Sequence, residues 1–213
     1  MNIFPVLYCF RNPQKKRKST FIGDFTMSYA LKNNRNGEEA VYSTTVEITE
    51  KGGVLTFRFT AENSQYYCPR RGYNKIHSCG DACEIIIGSD PNREVDFEIE
   101  ISPENELLVA KMRYLGIHPN NGPAKLDIQF VPEEECFVTS NVTRTPNGYI
   151  AEISLPKEKI ITGDGPVYFN AYRLETDGGT MEKHLFALNP TLCGRFHTPS
   201  CYLPLDEYVT KLD

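Results

Sequence analysis

The stretch GDACEIIIGSDPNREVDFEIEIS, residues 80–102, contains two short apolar runs joined by a turn. The runs CEIIIG (83–88) and VDFEIEI (95–101) are rich in β-branched residues, and the second alternates apolar with acidic residues. The SDPN sequence between them is typical of a reverse turn. The stretch therefore predicts two adjacent strands of an antiparallel sheet.

The same pattern extends along most of the chain. Turn sequences such as EKGG, SPENE, PNNGP and TDGG separate further runs with a period near two, and no segment keeps a helical period over three turns. Nine or more strands at near-hairpin spacing predict an all-β fold, a single antiparallel β-sandwich of the jelly-roll kind. The seven further runs are VYSTTVEI (41–48), VLTFRFTA (54–61), ELLVAKMRY (106–114), AKLDIQFV (124–131), CFVTSNV (136–142), GYIAEISL (148–155) and PVYFNAYRLE (166–175).

The charge of the chain is unevenly distributed. The 213 residues have a net charge of −5, but residues 1–26 carry +4 and the remainder therefore −9. We expect residues 1–26 to be a basic extension that is disordered or precedes a true start at Met27, and residues 27–213 to form one domain. An acidic domain argues against nucleic-acid binding, because that affinity comes mainly from Lys and Arg.

The start of the chain does not have the form of an export signal. Its apolar sequence MNIFPVLYCF precedes the basic cluster KKRK, which is the reverse of the order in a secretory signal. No run reaches the roughly 20 apolar residues of a membrane span. The odd number of cysteines, seven, fits reduced thiols rather than a disulfide framework. We therefore expect a cytoplasmic protein without a membrane span.

Two groups of residues were considered as metal ligands. Cys193, His197 and Cys201 have three residues between successive members, but no CxxC pair or fourth ligand accompanies them, so zinc is not indicated. The turn SDPNREVD offers oxygen donors for calcium, although it lacks the EF-hand spacing. Calcium is the single cofactor that we consider, with the ligands Asp90, Asn92 and Asp96.

The first two acids of the opening stretch, Asp81 and Glu84, allow several interpretations. They are a catalytic pair, ligand contacts, metal ligands or turn residues. Asp directly before a strand is most often a turn residue that bonds to nearby backbone. By alternation Glu84 shares a face with Ile86, and that face is either solvent or a cleft.

The second run places three acids on one face. Asp96, Glu98 and Glu100 alternate with Phe97 and its apolar neighbours, which normally indicates a solvent-exposed face. If Glu84 lies nearby, the same acids would instead form an acidic cleft that attracts cations or cationic ligands. The residues alone leave both interpretations open.

Three stretches together resemble carbohydrate-binding module family 9 and its free-standing bacterial relatives. They are residues 80–102, VYFNAYRLE (167–175) and ALNPTLCGRFHTPSCYLPL (187–205), in the same order and spacing as in that family. The resemblance covers roughly residues 40–205. It implies a β-sandwich that binds sugars without catalysis, in a cleft near the edge of a sheet, with structural calcium in some members.

The resemblance also implies the residues of a site. Glu84 matches a ligand-contacting acid and Asn170 a polar position of the same cleft, while family members that grip sugars use two Trp side chains. This chain has no Trp, and the corresponding positions are Ser78 and Ala187. A basic residue is usual where this chain has Glu98. The predicted ligand-binding residues are Glu84, Glu98, Asn170, Arg173 and Tyr172, with Tyr66, Tyr67 and Tyr73 of the loop 62–80 as a replacement stacking face.

We therefore expect a non-catalytic carbohydrate-binding protein. Its predicted ligand is a glycan or small sugar, and a glycan-processing enzyme on a separate chain is the other partner that we consider. Two alternatives remain: a structural or protein-interaction domain whose sugar site has decayed, and, less favoured, a glycoside hydrolase that uses Glu84 and Glu98. No nucleophile elbow, phosphate loop or HExxH motif occurs in the sequence.

Overall fold

Strands and short 3-10 turns make up the regular structure. A computed structural model describes residues 26–63, 65–77, 80–90, 94–115, 125–161, 165–177 and 180–213. No helix in these ranges is long and apolar enough to cross a membrane. The strands are β1 Ser28–Ala30, β2 Lys32–Asn33, β3 Thr44–Lys51, β4 Val54–Glu62, β5 Ala82–Gly88, β6 Val95–Ile101, β7 Leu107–Leu115, β8 Lys125–Phe130, β9 Thr139–Thr145, β10 Gly148–Pro156, β11 Tyr168–Thr176, β12 Lys183–Ala187, β13 Leu203–Pro204 and β14 Thr210–Lys211. The 3-10 turns are Glu133–Glu135, Lys157–Lys159, Pro199–Cys201 and Leu205–Glu207.

The strands form two sheets. The six-stranded sheet has the order β1-β3-β4-β10-β9, with β14 also paired to β3. The eight-stranded sheet has the order β2-β12-β11-β5-β6-β7-β8, with β13 also paired to β11. The β3–β14 pair is parallel, and the other strand pairs among the described residues are antiparallel. The predicted all-β sandwich is confirmed, and each of the nine predicted strands is present with its ends within three residues of the predicted ones.

The main core lies between the two sheets. Phe57 of β4 and Phe169 of β11 are fully buried, and their ring centroids are 5.7 Å apart across the interface. Alternate residues of β5, including Ile85 and Ile87, point into the same core. Burial of each such side chain stabilises the fold by about 1.5–3 kcal/mol, so this layer holds the two sheets together.

A second apolar cluster lies on the outer face of the eight-stranded sheet. Residues 188–204, which we call the covering segment, run across this face after β12. Its Phe196 and Tyr202 pack against Ile86 of β5 and Tyr172 of β11. Both faces of β5 are therefore buried. This explains why its sequence contains the continuous apolar run III (85–87) and does not strictly alternate apolar with polar residues.

Candidate functional site

A cleft of about 140 Å³ opens on the outer face of the eight-stranded sheet. Strands β5, β6, β11 and β12 supply one side, and the loop before β5 and the covering segment supply the other. An apolar cavity of about 150 Å³ can hold one six-membered ring, so the cleft suits a ligand of that size. Its lining residues are His77, Glu84, Glu98, Glu100, Leu174, Leu185, Gly194, Phe196 and His197.

Strand alternation brings three carboxyl groups into this cleft. Glu84 of β5 lies directly opposite Glu100 of β6, and Glu98 follows two residues away on the same face. Glu84, Glu98 and Glu100 are only 5%, 2% and 4% exposed, because the covering segment and the loop before β5 lie over them. Glu98 and Glu100 of β6 therefore belong to an acidic cleft, and the alternative of a solvent-exposed face is wrong.

Glu84 and Glu98 each have a buried carboxyl oxygen without a hydrogen-bond partner among the described residues, and Glu84 is the more central of the two for ligand binding because it matches a ligand-contacting acid in the resemblance. For Glu84 this oxygen is Oε1. Burial, and then the charges of Glu98 and Glu100, raise the pKa of Glu84 well above its ordinary value. A buried polar group without a hydrogen-bond partner destabilises the folded protein. Such a group therefore indicates a ligand-binding position more often than a purely structural one.

Two histidines approach the other two acids. His77 Nδ1 lies 3.3 Å from Glu100 Oε1, and His197 Nε2 lies 3.5 Å from Glu98 Oε2. The hydrogen bond to Glu100 raises the pKa of His77, against the effect of its burial. The lining residues in the described part of the chain include no Lys or Arg. The cleft therefore has an excess of acids over permanently charged cations.

The remaining wall of the cleft is apolar. Phe196 stacks on Tyr172 with ring centroids 4.2 Å apart and an angle of 18° between the rings. Leu174 and Leu185 face each other across the β11–β12 pair, and both line the cleft together with Phe196. Ala187, which the resemblance places at a Trp position, is fully buried in the same cluster as Phe196. The aromatic surface of this cleft is thus supplied by the covering segment.

Arg173 does not reach the cleft, so its predicted role as a ligand contact is wrong. Neighbouring strand residues point to opposite faces, and Tyr172 already faces outward. Arg173 is fully buried on the inner side, where its guanidinium donates to Thr44 Oγ1 at 2.8 Å and to the Glu175 carboxylate. Tyr172 lies on the cleft side but is fully buried, and its hydroxyl donates to the Phe196 carbonyl at 2.8 Å.

Asn170 holds the covering segment in place. Its Oδ1 accepts the Asn189 N–H at 3.1 Å, and its Nδ2 donates to the Asn189 carbonyl at 2.8 Å and to the Tyr172 hydroxyl at 3.0 Å. Both ends of the amide are therefore engaged by the protein, and the side chain is fully buried. The predicted contact between Asn170 and a ligand is replaced by this structural role.

The three loop tyrosines do not form a stacking face at the cleft, contrary to the prediction. Tyr66 and Tyr73 pack against the core between the sheets, and the Tyr66 ring lies edge-on to Tyr149 at 6.1 Å. Tyr67 contributes its backbone N–H, which donates to Asp81. The loop instead brings His77 to the cleft. Ser78, the other position assigned to a Trp, lies outside the described residues.

Asp81 has a structural role, as the turn interpretation implies, but it acts over a longer range. Its Oδ2 accepts the Tyr67 N–H at 2.8 Å, and its Oδ1 accepts the Thr176 N–H at 2.5 Å. The carboxylate thus joins the loop before β5 to the end of β11. The two acids of the opening stretch have separate roles.

The structure describes only two of the three predicted calcium ligands, so it does not test the calcium site. Asp96 is buried beside Tyr114, Asp90 is partly buried at the end of β5, and Asn92 lies outside the described residues. Calcium at that turn therefore stays a prediction. Among the described residues, the group of His, Cys, Asp and Glu side chains that comes close enough to hold a metal is a different one: His77, Glu98 and Glu100.

Sequence reasoning missed several residues of the cleft. His77, Phe196 and His197 come from irregular segments and have no local pattern that indicates a shared site. Glu100 was predictable from the sequence, because it is two residues from Glu98 on β6 and therefore lies on the same face of the strand. The order of the strands, which sets β5 next to both β6 and β11, is what makes these residues neighbours.

Searches of known structures find proteins with the same fold. A candidate carbohydrate-binding protein from Bacteroides uniformis ATCC 8492 matches with a TM-score of 0.64 and 10% identity, over 88% of this chain and 87% of that one. A carbohydrate-binding module family 9 from Caldicellulosiruptor kristjanssonii in complex with glucose matches with a TM-score of 0.51 and 12% identity, over 86% and 84% of the two chains. The same kind of module in complex with cellotriose matches with a TM-score of 0.50 and 11% identity, over 87% and 82%.

These similarities concern the fold. No protein-family model matches the sequence, and no match is found among curated proteins. The structural matches extend over more than four fifths of each chain in every pair, so the likeness is not confined to one hairpin. The resemblance predicted from three short stretches is confirmed at the level of the fold.

Proposed function

We propose that this protein binds a carbohydrate in the acidic cleft without cleaving it. The observation that carries the proposal is the buried Oε1 of Glu84, which has no hydrogen-bond partner among the described residues. A carboxyl oxygen accepts hydrogen bonds from sugar hydroxyl groups, and hydroxyls that donate to Glu84 would favour its ionised form, whose charge-assisted bonds are about twice as strong as neutral ones. A sugar would therefore provide the donors that Glu84 lacks.

The apolar wall supplies the second requirement for sugar binding. A sugar ring has a C–H face that packs on aromatic and aliphatic surfaces, while its hydroxyls need a few well-placed polar groups. Phe196 and Leu174 line the cleft beside Glu84. The fold shared with modules that were solved with glucose and cellotriose supports the same class of ligand.

The charge of the cleft narrows the choice of sugar. Three carboxyl groups line it, and the described lining includes no Lys or Arg. An anionic sugar such as a uronic acid would bring a like charge into a buried site, which is unfavourable. We therefore propose a neutral sugar or an amino sugar, one ring of which occupies the cleft.

Glycoside hydrolysis is disfavoured by the placement of the acids. A glycosidase needs two carboxyl groups on either side of the scissile bond. Glu84 and Glu98 lie on adjacent strands of one sheet and point from the same face, so they would approach a ligand from the same side. The pair therefore supports binding of hydroxyls and not general acid catalysis across a bond.

Calorimetric titration tests the proposal. We would titrate the full chain with glucose, cellotriose, glucosamine and glucuronic acid in buffer that contains a chelator. One small, partly apolar site predicts a modest dissociation constant, on the order of 0.1–10 mM, for a neutral or amino sugar. Loss of one charge-assisted hydrogen bond in Glu84→Gln is expected to weaken binding about tenfold or more.

Glu158→Gln is the matched control, because Glu158 is an exposed acid on the turn Lys157–Lys159. It should bind the sugar as the wild type does. Binding of no sugar by the folded wild type, or equal binding by Glu84→Gln, would show that the proposed site is wrong.

A further inference from the structure

We propose that the cleft also holds a divalent first-row transition metal ion of the zinc class, bound by His77, Glu98 and Glu100. The proposal goes beyond carbohydrate binding and does not depend on it. It concerns the part of the cleft where His77 meets the acids of β6.

The spacing of the donor atoms fits one ion. The candidate atoms of His77, Glu98 and Glu100 all lie within 4.8 Å of one another. Zinc binds nitrogen and carboxylate oxygen at about 2.0–2.2 Å, so two donors of a tetrahedral ion lie about 3.4 Å apart. The distance from His77 Nδ1 to Glu100 Oε1, 3.3 Å, is close to this value.

The acids supply the second argument, because their charges are not balanced. Glu98 and Glu100 contact each other, and each is at least nine-tenths buried. Glu84 faces the same cleft, and its buried Oε1 has no hydrogen-bond partner among the described residues. Buried carboxylates need a proton or a cation to be stable, and a bound divalent ion would balance the charges of two of these three acids.

The donors come from elements that hold them in place. Glu98 and Glu100 are on β6, a central strand paired on both sides. His77 follows Ile76, which is buried against Leu108 and Ala110 of β7. Donors fixed in this way reduce the ordering that metal binding requires.

The chemistry of the donors selects the class of metal. One imidazole with two carboxylates, which leaves a fourth position for water or a ligand, suits zinc and neighbouring transition metals. Calcium prefers six to eight oxygen ligands, which this group does not offer. The site is therefore distinct from the calcium predicted at Asp90, Asn92 and Asp96.

Metal titration of the chelator-treated full chain, without sugar, tests the proposal. We expect one zinc ion per chain, and calcium to bind at least about 100-fold more weakly. Cobalt(II) added in place of zinc should give the visible absorption of a four-coordinate ion. His77→Ala and Glu100→Gln should each weaken zinc binding at least about tenfold.

Two variants serve as controls. His184→Gln removes a histidine that stacks on Phe186 of β12, away from the lining of the cleft, and Cys193→Ser removes an exposed thiol that could bind zinc nonspecifically. Both should bind zinc as the wild type does. Circular dichroism establishes that His77→Ala is folded, and Glu100→Gln gives an independent measurement with little change of shape.

Absence of stoichiometric zinc binding by the folded wild type would overturn the proposal. Zinc binding that is unchanged in both His77→Ala and Glu100→Gln, or that is lost in Cys193→Ser, would overturn it as well. Because the sugar titrations are made with a chelator and the metal titrations without sugar, failure of one proposal leaves the other separately tested.

Discussion

Glu84 and Asp81 stand three residues apart, and their surroundings predict opposite effects on stability. Glu84 is buried with an unbonded Oε1, whereas both carboxylate oxygens of Asp81 accept backbone N–H groups. Removing a buried group that lacks partners relieves a cost, while removing one that satisfies two donors creates a cost. At the residue scale, the ligand-binding candidate is thus distinguished from the structural residue.

This contrast can be measured by urea denaturation in the presence of a chelator. Glu84→Leu should raise the free energy of unfolding by about 1 kcal/mol or more, because an apolar side chain fits the wall formed with Phe196 and Leu174. Asp81→Asn should lower it by about 1–3 kcal/mol, since one backbone N–H then meets an amide group that cannot accept it. A loss of stability in Glu84→Leu would contradict the interpretation of Glu84.

The covering segment is the element that turns an open sheet face into a cleft. Residues 188–204 have little regular structure, and Asn170 and Tyr172 of β11 attach them by side-chain hydrogen bonds. The segment contributes Gly194, Phe196 and His197 to the cleft. The site therefore depends on how firmly β11 holds this segment.

Asn170→Ala is predicted to loosen the covering segment while the sandwich stays folded. The substitution removes the bonds to both backbone groups of Asn189, so local opening should become easier. Amide hydrogen exchange should become faster in residues 188–204 and remain unchanged in β3 and β4. Asn141→Ala is the control, because Asn141 is an exposed residue of β9. Unchanged exchange in the covering segment would contradict its attachment by Asn170.

At the scale of the whole molecule, a buried ion pair joins the two sheets. Arg173 and Glu175 of β11 pair in the core, and Arg173 also donates to Thr44 Oγ1 of β3 in the opposite sheet. The Arg173 guanidinium lies 5.6 Å from the centre of the Tyr149 ring on β10. The pair thus connects strands of both layers in addition to the apolar core.

Breaking this pair should destabilise the protein more than removing it. Glu175→Leu leaves a buried guanidinium without its carboxylate, and we expect a loss of about 3–5 kcal/mol in urea denaturation. The double variant Arg173→Met/Glu175→Leu should recover most of this loss, because no charge remains buried. A double variant that is less stable than Glu175→Leu would contradict the interpretation. The double variant should still bind sugar, since Arg173 faces away from the cleft.

The candidate site was predicted in part. Glu84 and Glu98 lie in the cleft, because their faces follow from the two-residue period of a strand. Arg173 was assigned to the wrong face, because periodicity separates Tyr172 from Arg173 but does not say which of them points outward. The loop tyrosines were misplaced, because a loop of irregular backbone has no period from which a direction can be inferred.

The sequence by itself determined the β class, the nine main strands and the grouping of the acids on one side of β6, because these features depend on alternation and turn residues close together in the chain. The tertiary structure alone decided that the acidic face is buried and not exposed to solvent. That outcome requires the covering segment to cross β5 and β11 and the loop before β5 to bring in His77. These contacts join residues about 20 to 120 positions apart, and no local pattern encodes them.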